Sequence, residues 1–465
     1  MSESKTQFRY PEEIGPAFKE TDGLRFSDGG QVSAAEIWDF MTKEAPVRFP
    51  NAFDTNIYFR GISTDANLFS GIKRNYLNLT LKDRLMESHK KGIPAVFIQG
   101  GQTVEPYYAA GSIPVRPGVV NGWARNIVEG LNTRQSNQRG MSILEGGRRA
   151  LTVDSCGQIA AHAALEENLV PIDLVAPYLC LRCSDMAYLV ESHRHGKTTV
   201  PLHLVDFPVG QQGEWRKEYL ITELETLITK INKISNKKLT DEELRDELKQ
   251  EIKRENHARQ LLRESYELRW SAKVPPTNSV DHSSTVSIGI DGCGDFSAAT
   301  DVLEETRDET KDRVKHGVKG TGLADDPVRL WVCGSCVGPN AVRVDRAGGV
   351  IIGKDDWWSE AVTDVKETGD PYENLAEAIL SFPYELPTEE RAEWTARQVK
   401  KSRADGAIFY FAWGCNYQSG VARMIADIIK ERTGVPTINI EAEITSAEGL
   451  EQPHNRIESF IEMLS

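Results

Sequence analysis

Two stretches of this chain alternate short, unbroken apolar runs with helix-like patterns, and a densely charged stretch separates them. Ile93-Pro94-Ala95-Val96-Phe97-Ile98 is apolar throughout, as strands buried on both faces of a parallel sheet are, and Gly100-Gly101 ends it. Residues 105–110 then read as a short helix, 111–116 as turn and strand, 159–169 as helix, 173–176 as strand, 186–192 as helix and 200–205 as strand. From Val328 the alternation returns, with strands expected at 329–332, 349–352, 406–411 and 437–440 and helices at 371–380, 388–403 and 420–433. A β-α-β-α-β order of this kind predicts doubly wound sheets. The expected fold class is therefore α/β: two doubly wound parallel-sheet domains joined by a helical segment, with a cleft between them.

Between about Gln211 and Trp270 the composition changes. Leu220, Leu224, Leu227, Ile228 and Ile231 recur at helical spacing, followed by Leu244, Leu248 and Ile252 amid dense Glu, Lys and Arg. Thr240 with Glu243 three residues on has the form of a capping box. Two or three long antiparallel helices are expected, forming a brace with solvated charged faces. After Val274-Pro275-Pro276-Thr277-Asn278, residues 301–316 read as one more charged helix. The boundaries that result are 1–90 as an N-terminal arm, 91–210 as the first α/β domain, 211–320 as helical segment and connector, and 321–465 as the second α/β domain.

At 465 residues the chain exceeds one ordinary core. Its formal charge of −14 argues against a nucleic-acid partner and against docking to anionic lipid. Met1-Ser2-Glu3-Ser4-Lys5 has no apolar signal region, and no later stretch has enough apolar residues to span a bilayer. Seven cysteines in such a chain read as cytosolic thiols rather than disulfides, so a cytoplasmic location is expected, with metal ligation, redox chemistry or burial as their uses.

Three cysteines sit where a strand-like run gives way to a helix-like pattern: Cys156 in Asp154-Ser155-Cys156-Gly157, Cys183 in Cys180-Leu181-Arg182-Cys183-Ser184-Asp185, and Cys415 in Trp413-Gly414-Cys415-Asn416. Strand ends are where ligands gather in α/β folds, and a following helix turns its positive end toward the sulfur, which favours the thiolate that metals require. For each cysteine alone, burial as a small hydrophobe is an equal alternative. Together they suggest an iron–sulfur cluster held in the cleft with one iron left open. Cys180/Cys183 and Cys333/Cys336 also form Cys-x-x-Cys pairs, a spacing that fits structural zinc or a redox disulfide; Cys180, Cys333 and Cys336 are thus secondary metal candidates. Cys293, in a glycine-rich connector, receives no role.

Arg116 follows an apolar run and is a candidate for a phosphate, with a structural ion pair as the bland alternative. His162, His193, His195 and His203 lie near the cysteine-bearing segments, and His162, six residues after Cys156, is the weak candidate for a proton donor. Neither a Walker P-loop nor Gly-x-Gly-x-x-Gly opening a helix is present, so no ATP or dinucleotide site is expected in the chain itself.

With these motifs in place, the sequence from about Lys91 to Leu464 resembles the 2-hydroxyacyl-CoA dehydratase / benzoyl-CoA reductase family, and within it the larger cluster-bearing subunits of ATP-dependent benzoyl-CoA reductases. The resemblance rests on Asp154-Ser155-Cys156-Gly157, on Cys183 with Tyr188-Leu189-Val190-Glu191, on Lys91-Gly92-Ile93-Pro94 through Val115, and on the tail. That tail runs Ala404-Asp405-Gly406-Ala407-Ile408, Cys415-Asn416, Arg432-Thr433-Gly434-Val435-Pro436 and Asn455-Arg456-Ile457-Glu458-Ser459-Phe460. It implies a 4Fe-4S cluster on Cys156, Cys183 and Cys415, an open iron facing a CoA thioester, and single electrons delivered by a separate ATP-hydrolysing iron–sulfur activator. A paralogous cluster-bearing subunit is the second partner implied, and Arg116 would meet the CoA phosphates. The expected function is an ATP-dependent reductase of an aromatic acyl-CoA. Alternatives are a radical 2-hydroxyacyl-CoA dehydratase, a double-cubane cluster protein reducing small molecules, and a zinc-stabilised scaffold. The sequence departs from the family at Gln158-Ile159-Ala160-Ala161, where an Arg or Lys is common, and in its first 90 residues.

Overall fold

The computed structural model describes residues 7–54, 65–98, 103–116, 128–132, 171–179, 200–206, 213–334, 338–442 and 448–465, with isolated positions between them. β1 (Leu24–Arg25) and β2 (Gln31–Val32) make a small antiparallel pair near the N-terminus. β3 (Ala95–Phe97), β4 (Ile113–Val115) and β5 (Leu174–Val175) form a parallel sheet in the order β4-β3-β5. A parallel bridge from Val175 to Leu202 adds a fourth position on the β5 side. β6 (Tyr178–Leu179) and β7 (Val205–Asp206) pair in parallel just beyond. A proline explains why the expected strand at 200–205 pairs in two separate pieces. Pro177 divides β5 from β6 and has no N–H for a ladder, although its carbonyl accepts the Val205 N–H at 3.0 Å.

The second sheet is longer. β8 (Val328–Cys333), β9 (Gly349–Lys354), β10 (Gly406–Ala412) and β11 (Thr437–Ala442) run parallel in the order β11-β10-β8-β9. β8 and β10 are fully buried, β10 as its apolar sequence requires and β8 with Arg329 hydrogen-bonded to the Ser402 carbonyl at 2.9 Å. The helices Pro371–Ser381, Thr388–Lys401, Asn416–Thr433 and Glu448–Leu464 follow or intervene between these strands. Both sheets thus wind outward from a central first strand in two directions, and the α/β expectation holds.

In the charged middle segment two helices form, Trp215–Ile234 and Asp241–Ser271. The capping box is present: the Thr240 hydroxyl accepts the Glu243 N–H, and the Glu243 carboxylate accepts the Thr240 N–H at 2.7 Å. All five apolar residues singled out on the first helix are buried. The expectation of solvated charged faces needs correction. Glu251, Glu255, Arg259 and Arg269 on Asp241–Ser271 are buried, because the helix Phe296–His316 packs on it from one side and elements of both sheets meet it from others. Phe296–His316 itself starts earlier than expected, where the Asp295 side chain accepts the N–H groups of Ser297 and Ala298.

Residues 7–90, expected as an arm, contribute Phe18, Leu24, Ile37, Trp38, Met41, Phe49 and Phe53 to the core. The helix Phe69–Lys90 is tied to the connector by buried Arg74, which donates to Asp281 at 2.9 Å and to Thr285 at 2.8 Å. Among the described residues no helix is long and apolar enough to cross a membrane.

Candidate functional site

In the second sheet the winding changes direction between β8 and β10, the position where open α/β sheets bind ligands. Cys333 is the last residue of β8 and stands opposite Phe409 of β10. The chain then turns against its neighbour. Gly334 has φ +105°, and a Cβ there would lie 2.0 Å from the Tyr410 carbonyl oxygen, so only glycine fits. Cys333 is fully buried, and burial together with the nearby Asp355 carboxyl pushes its thiol far above the usual range. It packs as a neutral core thiol.

Past β10 the chain runs Trp413-Gly414-Cys415. The Cys415 N–H donates to the Ala412 carbonyl at 3.1 Å, and its own carbonyl accepts the Ser419 N–H at 3.1 Å. That makes Cys415 the residue capping the helix Asn416–Thr433. The helix starts four residues before the expected 420, because Asn416 to Ser419 already have helical geometry. Cys415 is half-buried, at the positive end of an 18-residue helix, a setting that favours negative charge on sulfur.

Buried charge surrounds this strand end. Asp355 follows β9 and receives a hydrogen bond from Arg391 Nη2 at 3.0 Å, with neither side chain exposed. The Arg391 guanidinium lies 3.9 Å from the Tyr384 ring centre, and the Tyr384 hydroxyl accepts the Gln418 amide at 2.6 Å. One connected set of side chains therefore runs from β9 to the first turn of the Cys415 helix. Lys354, ending β9, pairs with Asp356 at 3.0 Å and lies over the Trp357 ring.

Arg116 does follow β4, and its guanidinium is held inside the protein: Nη1 is 3.4 Å from Glu360, Nε 3.9 Å from Asp291, and Nη2 donates to the Ile290 carbonyl at 3.3 Å. His203 is half-buried, and burial and Lys230 lower its pKa to about 4, which keeps the ring neutral. Cys293 is buried, its thiol pushed up to about 12. Trp358 packs on Tyr266 and Trp270 as core, while Trp413 is exposed. Cys156, Cys180, Cys183, Cys336, His162, His193 and His195 lie outside the described residues. Among the described residues no group of three or more His, Cys, Asp or Glu is arranged to hold a metal ion. The buried carboxylate–arginine groups were missed by sequence reasoning. Their signal was Asp355-Asp356 directly after an apolar run, and Glu255 with Arg259 four residues on.

The sequence pattern of the family described as 2-hydroxyglutaryl-CoA dehydratase, D-component, matches residues 102–464. The chain belongs to that family. It is also similar to a benzoyl-CoA reductase subunit of Thauera aromatica, with 27% identity over 252 residues, 51% of this chain and 60% of that protein. The chain thus spans less than two thirds of this relative's length. The match to the family begins just before the Glu105–Ala109 helix and spans every candidate ligand cysteine.

Proposed function

We propose that the chain is the iron–sulfur subunit of a low-potential acyl-CoA reductase of the benzoyl-CoA type, with a 4Fe-4S cluster on Cys156, Cys183 and Cys415. The observation that carries this reading is the placement of Cys415: half-buried, at a helix N-terminus, just past the strand that flanks the switch point, in a member of this family. A thiolate donor in that position fits one ligand of such a cluster. When bound, the cluster supplies single electrons at low potential. The chain's own residues shape the surroundings. The Asn416–Thr433 helix end stabilises negative charge, and the Arg391–Asp355 pair with Tyr384 and Gln418 fixes that helix start.

Residues 91–210 and 321–465 are proposed as the two α/β domains, with the acyl-CoA entering between them. A paralogous cluster-bearing subunit and an ATP-hydrolysing iron–sulfur activator are the proposed partners, and the cytoplasm the proposed location. A second reading, a radical 2-hydroxyacyl-CoA dehydratase subunit, is favoured by the family's own description.

The test is anaerobic reconstitution with the paralogous subunit and the activator, assayed with benzoyl-CoA beside 2-hydroxyacyl-CoAs. Dienoyl-CoA formed with ATP consumed throughout supports the reductase. Net dehydration needing ATP only to start assigns the dehydratase instead. Metal analysis giving zinc and no iron overturns both.

A further inference from the structure

Where the Glu105–Ala109 helix, between β3 and β4, packs on the Asp241–Ser271 helix, four carboxyl groups and two guanidinium groups come together in the interior. Glu105 opens the Glu105–Ala109 helix, and Arg116 follows β4. Glu255 and Arg259 stand one turn apart on Asp241–Ser271, Asp291 ends the helix Ser279–Asp291, and Glu360 lies on the helix Asp355–Val362 that follows β9. Arg259 Nη2 reaches Glu105 at 2.7 Å and Glu255 at 3.8 Å. Arg116 reaches Glu360 at 3.4 Å and Asp291 at 3.9 Å. The second carboxyl oxygens of Glu105 and Glu255 find no hydrogen-bond partner among the described residues.

Two cations cannot neutralise four buried carboxylates. An uncompensated carboxylate at this depth is strongly disfavoured, and such a group takes up a proton instead. Arg259 donates to Glu105 at 2.7 Å, and Asp291, itself raised by burial, accepts the Cys293 N–H at 2.9 Å. Glu255, 3.8 Å from Arg259, and Glu360, 3.4 Å from Arg116, are held more loosely. Glu255 is faced by Arg259 on its own helix, by Glu105, Tyr108 and Arg116 from the first sheet's side, and by Glu360. Glu360 is faced by Arg116, by Arg259 and by Asp356 on its own helix. Burial raises Glu255 well above the usual carboxyl range and Glu360 to about 7.

Glu360 is the least covered of the four carboxyls, with 14% of its side chain exposed. Asp356, one turn before it, pairs with Lys354. The adjacent Asp355 pairs with Arg391, which lies under the Tyr384 ring, and Tyr384 accepts from Gln418, three residues past Cys415. Glu360 and Asp355 thus lie on the same short helix after β9, between the long helix and the strand-end site.

We propose that Glu255 and Glu360 form a buried proton store for the strand-end site, Glu360 being the group that gives up its proton. The inference rests on the reductive acyl-CoA reading above. The substrate gains one electron from the external one-electron protein donor and one proton from Glu360. The O–H bonding pair stays on Glu360 as a carboxylate facing Arg116, and solvent restores the proton.

The test is infrared spectroscopy of the full chain, carbon-13 labelled at glutamate, at about pH 7. Glu251 and Glu309 are buried and raised as well, so several carboxylic-acid carbonyl bands are expected, of which one is lost in Glu255→Gln and a different one in Glu360→Gln, both near-isosteric changes. Arg116→Gln should move the Glu360 band's titration midpoint upward, since the cation that favours its carboxylate is gone. Absence of protonated glutamate bands, or bands untouched by both variants, overturns the store whatever the activity. In the reconstituted complex Glu360→Gln should slow reduction about 100-fold, with KM unchanged, and abolish the fall in rate as pH rises through the Glu360 midpoint. A variant that keeps wild-type rate and pH profile removes Glu360 from proton delivery. Bands behaving as expected in a complex inactive on every acyl-CoA tested would instead defeat the reductive reading.

Discussion

Replacing Arg391 by Met removes a cation hydrogen-bonded to a carboxyl with no exposed surface, and the structure sets what that should cost. Asp355 and Arg391 are both fully covered and meet at 3.0 Å. Breaking a buried pair from one side typically costs about 3–5 kcal/mol, because a charge is left without compensation. Met keeps much of the volume and the contact over the Tyr384 ring, so little of that figure is cavity. The cost should also depend on pH. Burial outweighs Arg391 and already holds Asp355 at about 6; without the guanidinium its folded-state value climbs further. A carboxyl raised on folding adds stability that is fully present below its unfolded pKa and lost as pH rises through the folded one. The penalty should therefore be largest at about pH 8 and smaller by roughly 1 kcal/mol or more at about pH 5, where Asp355 carries a proton. Urea unfolding followed by tryptophan fluorescence reads it, since Trp331 and Trp358 are buried in the same unit. The double variant Arg391→Met/Asp355→Asn should recover more than half of the loss. A pH-independent penalty, or a double variant as costly as the two singles added, would refute this account of the pair.

Three further outcomes are expected. Cys415→Ala should lower the iron bound by anaerobically reconstituted protein to near background, measured by metal analysis, and unchanged iron content would remove Cys415 from the ligand set. Gly334→Ala should destabilise the chain by about 2 kcal/mol or more in chemical denaturation, because the added Cβ meets the Tyr410 carbonyl in a left-handed backbone conformation. Thr240→Ala should cost about 1 kcal/mol by removing the hydroxyl that caps Asp241–Ser271, and Thr240→Ser should cost much less.

The sheets were legible because burial on both faces writes itself into sequence. Residues 329–332, 349–352, 406–411 and 437–440 each lie within an observed strand, short by one or two residues at the ends where ladders fray. Cys415 was legible for a related reason, since Trp413-Gly414 marks the strand's end and the helix pattern starts soon after. What could not be read was which charges lie inside. Glu255, Arg259 and Arg391 sit in segments dense with other charges, and helical periodicity in apolar residues says only where the first packing face is. A second face, covered by an element from a distant part of the chain, leaves no local mark. The apolar residues of the N-terminal segment are hard to read for the same reason: scattered along turns and short helices, they pack on one another and against Phe296–His316 and Ser279–Asp291 from far along the chain.

The two sheets also constrain each other. Each places its first strand centrally, its second on one side and its third on the other: β4-β3-β5 with the bridge to Leu202 beyond, and β9-β8-β10 with β11 beyond. Ligand-binding crevices in such sheets open between first and third strands. In chain order, Cys183 comes after the third strand of the first sheet, as Cys415 comes after the third strand of the second. Cys333 ends the first strand, on the other side of the same crevice, and is buried in packing where Cys415 is half-buried. Burial, rather than position in the winding, separates these two cysteines. The buried ion pairs Arg259–Glu105, Arg116–Glu360 and Arg391–Asp355 likewise lie near the strand ends of both sheets, with Asp241–Ser271 packed against elements of each half. Loss of the helix's buried face should therefore disturb both halves together, which a local disruption confined to either sheet would not.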